Sequence, residues 1–178
     1  MFGINKKFIK SEYFNDLNNE INFVQDDVII DGIKIKEERL TSWMTDYDYS
    51  YKYGSKIMQS KPMSKTVKII QQIIQQNYGE LFDSVLINYY KNGNVGMRYH
   101  SDEIYDEWNE HTVVVSFGST RKLVFRLIDN YDEKTYFDFS SGDIIYMKEG
   151  CQSMYQHRVM KDSKVNEDRI SLVYKKHK

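Results

Sequence analysis

His100 and Asp102 form the one His-x-Asp pair among four histidines, which stand at positions 100, 111, 157 and 177. In extended backbone, residues two apart leave the chain on the same side, so this imidazole and this carboxylate can face one point in space. Such a pair arises easily by chance in a chain with 26 Asp and Glu among 178 residues, and it needs a third ligand. His157 can supply it, because it lies in a later strand-like run that the intervening strands can fold back alongside. Two imidazoles and one carboxylate on a β scaffold suit non-haem Fe(II), and they leave positions open for a bidentate cosubstrate and dioxygen. A structural zinc site would want four protein ligands, often sulfur, and Cys151 is the only cysteine. That single cysteine also forbids an intramolecular disulfide, so a reducing, intracellular compartment is expected, cytoplasmic or nuclear.

A cosubstrate bound at such a metal needs an anion anchor. Arg169 opens the run R-I-S-L-V-Y-K and Lys175 closes it, an even spacing that puts both cations on one face of a strand. A guanidinium grips a carboxylate with two parallel bonds, and the second cation can answer another carboxylate or a phosphate.

The rest of the chain must position these groups. With 40% apolar residues, 29% charged and a net charge of -1, it reads as one globular domain over residues 1–178 and excludes disordered and fibrous classes. No apolar run approaches the roughly 18 residues that span a bilayer, and MFGINKKFIK has no continuous hydrophobic segment, so neither membrane nor signal peptide is expected. Near-neutral charge confines any nucleic-acid footprint to a local patch. Lys outnumbers Arg and Ala is absent, as in an AT-biased coding sequence.

Phe14, Leu17 and Ile21 predict a helix capped by Ser11, and VIIDGIKI over 28–35 predicts a hairpin about its Asp-Gly pair. Residues 39–60 carry Trp43 and Tyr47, Tyr49, Tyr51 and Tyr53 without a helical period, which suggests an aromatic-rich loop or irregular hairpin. Ser64 can start a second helix, faced by Val67, Ile70, Ile73 and Ile74 and stopped near Gly79. From residue 84 onward come seven short runs: VLINYYK, VVVSFG, KLVFRLI, TYFDF, DIIYMK, SMYQHRV and RISLVYK. Helices followed by such strands imply an α+β protein, its N-terminal helices packed on one face of an antiparallel sandwich or barrel. His111 and His177 read as solvated, and Cys151 as a small buried residue.

Taken in order, N-x-Y (Asn88, Tyr90), H-x-D (His100, Asp102), S-F-G-S-T-R over 116–121, S-G-D-I-I-Y-M over 141–147, Y-x-H (Tyr155, His157) and R-x-S-x-V-x-K resemble the AlkB family along nearly the whole chain. The upstream E-R-x-x-x-W, which holds Arg39, and Y-x-Y-x-Y resemble its nucleotide-recognition segment, here 39–60. The resemblance implies a double-stranded β-helix, or jelly-roll, core over 84–178, with Fe(II) and the cosubstrates 2-oxoglutarate and O2. Residue by residue, it makes His100, Asp102 and His157 the catalytic iron ligands. It makes Asn88, Tyr90, Arg169 and Lys175 the 2-oxoglutarate contacts, with Arg169 on the distal carboxylate. Tyr53, Tyr51 and Arg39 become substrate contacts, with Lys56, Lys61, Lys65, Lys68, Arg121 and Lys122 available for phosphates.

Two departures stand out. The family's last strand usually reads R-x-N-x-T-x-R, where this chain has Ser171, Val173 and Lys175. Ile104 also stands where repair members commonly have an acid that approaches the base. The implied activity is oxidative dealkylation of N-alkylated bases in DNA or RNA by a monomer, releasing aldehyde, succinate and CO2. The alternatives are a 2-oxoglutarate-dependent hydroxylase of a protein or other substrate, and a catalytically impaired member that binds nucleic acid or a partner.

Overall fold

The computed structural model describes residues 1–30, 32–103 and 107–178. Asp31 of the hairpin pair and Ile104 lie outside the described residues. The elements run β1 (Phe2–Asn5), α1 (Tyr13–Glu20), β2 (Asp27–Ile30), β3 (Ile33–Lys36), β4 (Leu40–Thr45), β5 (Tyr51–Tyr53), β6 (Lys56–Met58), α2 (Lys65–Tyr78), β7 (Ser84–Tyr90) and β8 (Met97–His100). They continue with β9 (Trp108–Gly118), β10 (Arg121–Leu127), β11 (Lys134–Phe139), β12 (Ile144–Met147), α3 (Cys151–Met154), β13 (Tyr155–Val159) and β14 (Arg169–His177).

Both faces of the strands from β7 onward carry apolar residues, and the layering explains why. A six-stranded antiparallel sheet, in the order β1-β12-β9-β14-β7-β4, packs one face on the helices. Val85, Ile87, Val113, Val115, Phe117, Ile170, Leu172 and Tyr174 supply that face. Its other face meets a four-stranded sheet, β11-β10-β13-β8, across a second cluster that includes Tyr90, Leu123, Phe125, Phe139, Ile145 and Met147. Alternation along one strand therefore separates helix-side residues from cavity-side residues: Leu172 and Tyr174 point to the helices, whereas Arg169, Ser171, Val173 and Lys175 line the space between the sheets. Two facing antiparallel sheets of this kind form the double-stranded β-helix, with helices on one side.

Helix α2 buries Val67, Ile70 and Ile74 completely, each such side chain contributing on the order of 2 kcal/mol. Gly79 ends it in the left-handed conformation (φ 72°), its N–H donating to the Gln75 carbonyl at 2.9 Å. Its start is capped from outside, as Glu20 of α1 accepts from the backbone N–H of Thr66 at 2.9 Å and from its hydroxyl at 2.7 Å. Among the described residues no helix is long and apolar enough to cross a membrane.

Several expectations need correction. Glu12, not Ser11, occupies the N-cap of α1. Part of the segment 39–60 is regular: β4 pairs with β7 at the edge of the large sheet, and β5 and β6 form a separate hairpin. Covered on both faces, β4 buries Thr41, Ser42 and Thr45 as well as Trp43 and Met44, and this removes the alternation a strand normally shows. Ser153 and Met154 belong to the one-turn α3, so β13 begins at Tyr155. His111 lies within β9 with Nδ1 2.9 Å from Glu80, and His177 stacks on Tyr49 at 3.9 Å. Neither is a solvated loop residue. Cys151 is buried, as its composition suggested.

Candidate metal centre and its cavity

The strand that delivers His100 is β8, a four-residue edge strand, M-R-Y-H, whose sequence has no apolar run to announce it. It pairs with β13, and the register sets His157 directly opposite His100, with ring centroids 4.4 Å apart. Asp102 follows just beyond the strand end. Its Oδ1 lies 3.7 Å from His100 Nε2 and 3.8 Å from His157 Nε2, and the potential ligand atoms of all three residues fall within 4.8 Å of one another.

The surroundings prepare these atoms as donors. His100 Nδ1 lies 2.8 Å from the Arg98 carbonyl, which assigns the proton to Nδ1 and leaves the Nε2 lone pair toward the cluster. Burial disfavours the imidazolium at both rings, lowering His100 and pushing His157 down to about 3, with His100 and Lys175 adding to the effect at His157 and Asp102 opposing it. Burial opposes ionisation of Asp102 too, but the Lys175 ammonium and the two imidazoles outweigh it and hold the carboxyl well below the usual carboxylate range. Lys175 donates to Asp102 Oδ2 at 3.1 Å, while the Asp102 backbone N–H donates to Gln152 Oε1 at 2.8 Å. One carboxylate oxygen is thus held, and Oδ1 is presented with two neutral imidazole nitrogens.

The cluster opens onto a cavity of about 840 Å³ between the two sheets. Arg169 lies in its wall, 1% exposed, donating from Nε to Ser116 Oγ at 2.8 Å, with its guanidinium over the rings of Tyr90 (5.1 Å) and Phe139 (5.6 Å). Its Nη1 is buried without any partner among the described residues. A buried cationic donor left unpaired is costly, so this nitrogen marks where an anionic oxygen fits.

The other candidate residues are also in the cavity wall, each held differently. Lys175 shares the cavity face of β14 with Arg169, as even spacing requires, but gives its ammonium to Asp102 and lies 5.8 Å from the Tyr51 ring. Asn88 accepts at 2.8 Å from Arg39 Nε, and Arg39 also meets Glu37 at 3.2 Å and Met97 Sδ at 3.1 Å. Tyr90 is buried beneath Arg169. Tyr51 is buried and stacked on Trp43 at 4.7 Å, whereas Tyr53 is half-buried with Arg39 5.3 Å from its centroid.

Four of the cations expected to be available for phosphates are instead engaged within the protein. Lys56 binds Asp26 at 2.6 Å and Glu37 at 3.0 Å, Lys68 binds Asp46 and Lys122 binds Asp138, each at 2.8 Å, and Arg121 is buried against backbone carbonyls. Sequence reasoning missed Gln152 and Ser116 as supports of Asp102 and Arg169. Ser116 opens the S-F-G-S-T-R run, but only the β9–β14 register, which sets it opposite Ser171, brings it to Arg169. Gln152 had no signal, because it stands on a one-turn helix.

A jelly roll that gathers two neutral imidazoles and a carboxylate on one sheet, with a buried arginine in the same cavity that leaves Nη1 without a partner among the described residues, offers a candidate mononuclear metal centre beside a candidate anion pocket. The chain belongs to the 2OG-Fe(II) oxygenase superfamily, whose family model matches residues 9–175, and within it is AlkB-like. It is 34% identical over 172 residues to the uncharacterized protein R406 of Acanthamoeba polyphaga mimivirus, covering 95% of this chain and 90% of that one. It is 29% identical over 173 residues to the bovine alpha-ketoglutarate-dependent dioxygenase alkB homolog 3, covering 91% of this chain and 59% of the relative's length. The solved structure of OsALKBH1 superposes with a TM-score of 0.71 at 15% identity, over 99% of this chain and 96% of its own, a likeness of fold. The protein is thus a 2-oxoglutarate-dependent dioxygenase using Fe(II), 2-oxoglutarate and O2.

Proposed function

We propose that this dioxygenase removes alkyl groups oxidatively from N-alkylated bases in DNA or RNA, releasing aldehyde, succinate and CO2, and that it acts as a single intracellular domain. The observation that carries the reading is the junction of three features in one cavity: the His100–Asp102–His157 cluster, the partnerless Arg169 Nη1, and a half-buried aromatic residue, Tyr53, at the wall. The similarity to alkB homolog 3 proteins supports the choice of substrate class.

The residues fit the groups the family requires. His100, Asp102 and His157 offer two neutral nitrogens and one anionic oxygen, the donor set that suits Fe(II), and Arg169 offers an open donor for a carboxylate. With 2-oxoglutarate and O2, the bound iron supplies an oxidant able to attack an unactivated C–H bond. The chain's own task is placement. Arg169 holds the distal carboxylate of 2-oxoglutarate from the Nη1 edge, with Nε fixed by Ser116. Lys175 and Gln152 hold Asp102 so that Oδ1 faces the metal. Arg39 fixes Asn88 beside Tyr90, and Tyr53 offers a flat face to an extruded base. The apolar walls, including Leu123, Phe125, Ile145 and Met147, keep bulk water from the reacting atoms.

The test is aerobic incubation with Fe(II), 2-oxoglutarate and a panel of methylated DNA and RNA oligonucleotides, scored for formaldehyde and succinate together. Stoichiometric release of both from at least one oligonucleotide is expected. Succinate formation that no nucleic acid stimulates, in a protein that binds iron and 2-oxoglutarate, rules the substrate class out.

A further inference from the structure

The opposite face of the sheet that bears the histidines carries a second constellation. Phe125 pairs with His157 on the cavity side, so Val124 and Arg126, with their partners Arg158 and Gln156, stand on the other side of β10 and β13, and the Tyr99 ring of β8 lies against both arginines, although the chain at Tyr99 and Arg158 also borders the cavity. On that side the guanidinium carbons of Arg126 and Arg158 lie 3.8 and 4.6 Å from the Tyr99 ring centroid. Arg126 also lies 3.9 Å from the centroid of Tyr131, so cation and ring alternate in the order Arg158, Tyr99, Arg126, Tyr131. Gln156 orients the Arg126 fork, accepting from Nε at 3.0 Å and from Nη2 at 2.6 Å.

Three observations say that this ladder faces a ligand. Neither arginine pairs with a carboxylate among the described residues, although Asp129, Asp132 and Glu133 lie in the adjoining β10–β11 turn and many of the chain's lysines are salt-bridged. Arg158 Nε is buried with no hydrogen-bond partner. Tyr131 leaves 51% of its surface exposed at the outer end of the stack. Stacked guanidinium groups keep their N–H edges directed outward, where they bind phosphate oxygens, and an exposed ring at the end of the stack accepts a base. The face is also continuous with the cavity, because β8 is an edge strand and its exposed Arg98 lines the cavity.

We infer that a single strand of nucleic acid leaving the cavity past Arg98 turns around the β8 edge and binds along Arg158, Tyr99, Arg126 and Tyr131. This inference rests on the proposed nucleic-acid substrate and adds where the flanking strand runs. A cationic, aromatic face on a chain of net charge -1 is complementary to a polyanion with flat bases, and its charge is local, as the composition requires.

The test compares wild type with the paired variant Arg126→Gln/Arg158→Gln. Fluorescence anisotropy measures binding of an unmodified single strand of about 16 nucleotides across a salt series, and formaldehyde release measures turnover of a methylated trinucleotide. The paired variant is expected to bind the long strand at least tenfold more weakly and to lose about two from the slope of log K against log salt. Its trinucleotide turnover should match wild type, and Arg126→Lys/Arg158→Lys should restore the salt slope. Tyr131→Ala, on an exposed turn that the sheet does not need, should weaken long-strand binding about fivefold or more by loss of stacking, and it serves if the paired variant does not fold. Long-strand affinity and salt slope unchanged in folded variants, with methylated oligonucleotides still turned over, overturn this path and leave the proposed function standing. Failure of wild type to bind or demethylate any nucleic acid overturns both.

Discussion

Arg121 and Arg169 are both buried arginines without a carboxylate, and their surroundings differ in one respect that separates scaffold from site. The terminal nitrogens of Arg121 donate to the carbonyls of Asn92 (3.3 Å), Gly93 (3.2 Å), Val95 (2.8 Å) and Met160 (2.5 Å), which ties the β7–β8 loop to the end of β13; Nε is the nitrogen left over. Arg169 has the reverse arrangement, with Nε fixed by Ser116 and the terminal Nη1 bare beside an 840 Å³ cavity. The forward edge of a guanidinium is what grips a ligand. A filled forward edge is a structural clamp, and a terminal nitrogen left bare in a cavity is what the proposed anion site requires.

The largest expected effect lies at Asp102, where the neighbourhood resembles neither arginine: Lys175 answers one carboxylate oxygen and leaves Oδ1 toward the two imidazoles. Asp102→Ala should abolish turnover and iron binding, and it should also lower stability by about 3 kcal/mol, because it strands the Lys175 ammonium, which is 4% exposed. Adding Lys175→Met should restore the thermal midpoint without restoring turnover. A single variant as stable as wild type would show that the pair is not coupled. Next, Arg169→Met should raise the 2-oxoglutarate concentration needed for half-maximal turnover at least thirtyfold, from the loss of about 2 kcal/mol or more of charge-assisted binding. Arg121→Met should leave that concentration unchanged and cost about 2 kcal/mol or more of stability by unpairing buried carbonyls. Equal effects of the two variants on cosubstrate binding would erase the distinction drawn between them.

The smallest effect sharpens the comparison next door to Arg169. Tyr89 donates to Asp168 Oδ2 at 2.8 Å, and burial followed by this bond pushes its phenol up from 10.0 to about 12. The folded value lies above the unfolded one, so the stabilising contribution is complete below pH 10.0 and is lost as pH rises toward about 12. Urea unfolding midpoints should fall over that window in wild type. Tyr89→Phe should flatten the fall and cost about 1 kcal/mol below it. An identical alkaline profile in both proteins would remove Tyr89 from the account.

Much of this was legible in the chain. Strands β7 and β9 to β14 announced themselves because β-branched and aromatic runs alternate with turn residues, and α2 because its apolar stripe ends at Gly79. Parity placed Arg169 and Lys175 on one face. What stayed hidden were elements whose local pattern is overwritten by their surroundings. The edge strand β8 has no apolar run, and β4 buries polar residues because neighbours cover both its faces. His111 looked solvated until the fold brought Glu80 and Tyr146 to it.

The sequence by itself determined which groups were available: two histidines and an aspartate with metal-ligand chemistry, two cations an even number of residues apart, and strands enough to make two sheets. Those properties follow from side-chain type and from the period of two along a strand, which are local. Only the tertiary structure decided that His157 stands opposite His100, that Lys175 is committed to Asp102, and that Arg121 is closed while Arg169 is open. Each of those depends on cross-strand register and on which backbone carbonyls arrive from distant loops, and no local pattern in the chain encodes either.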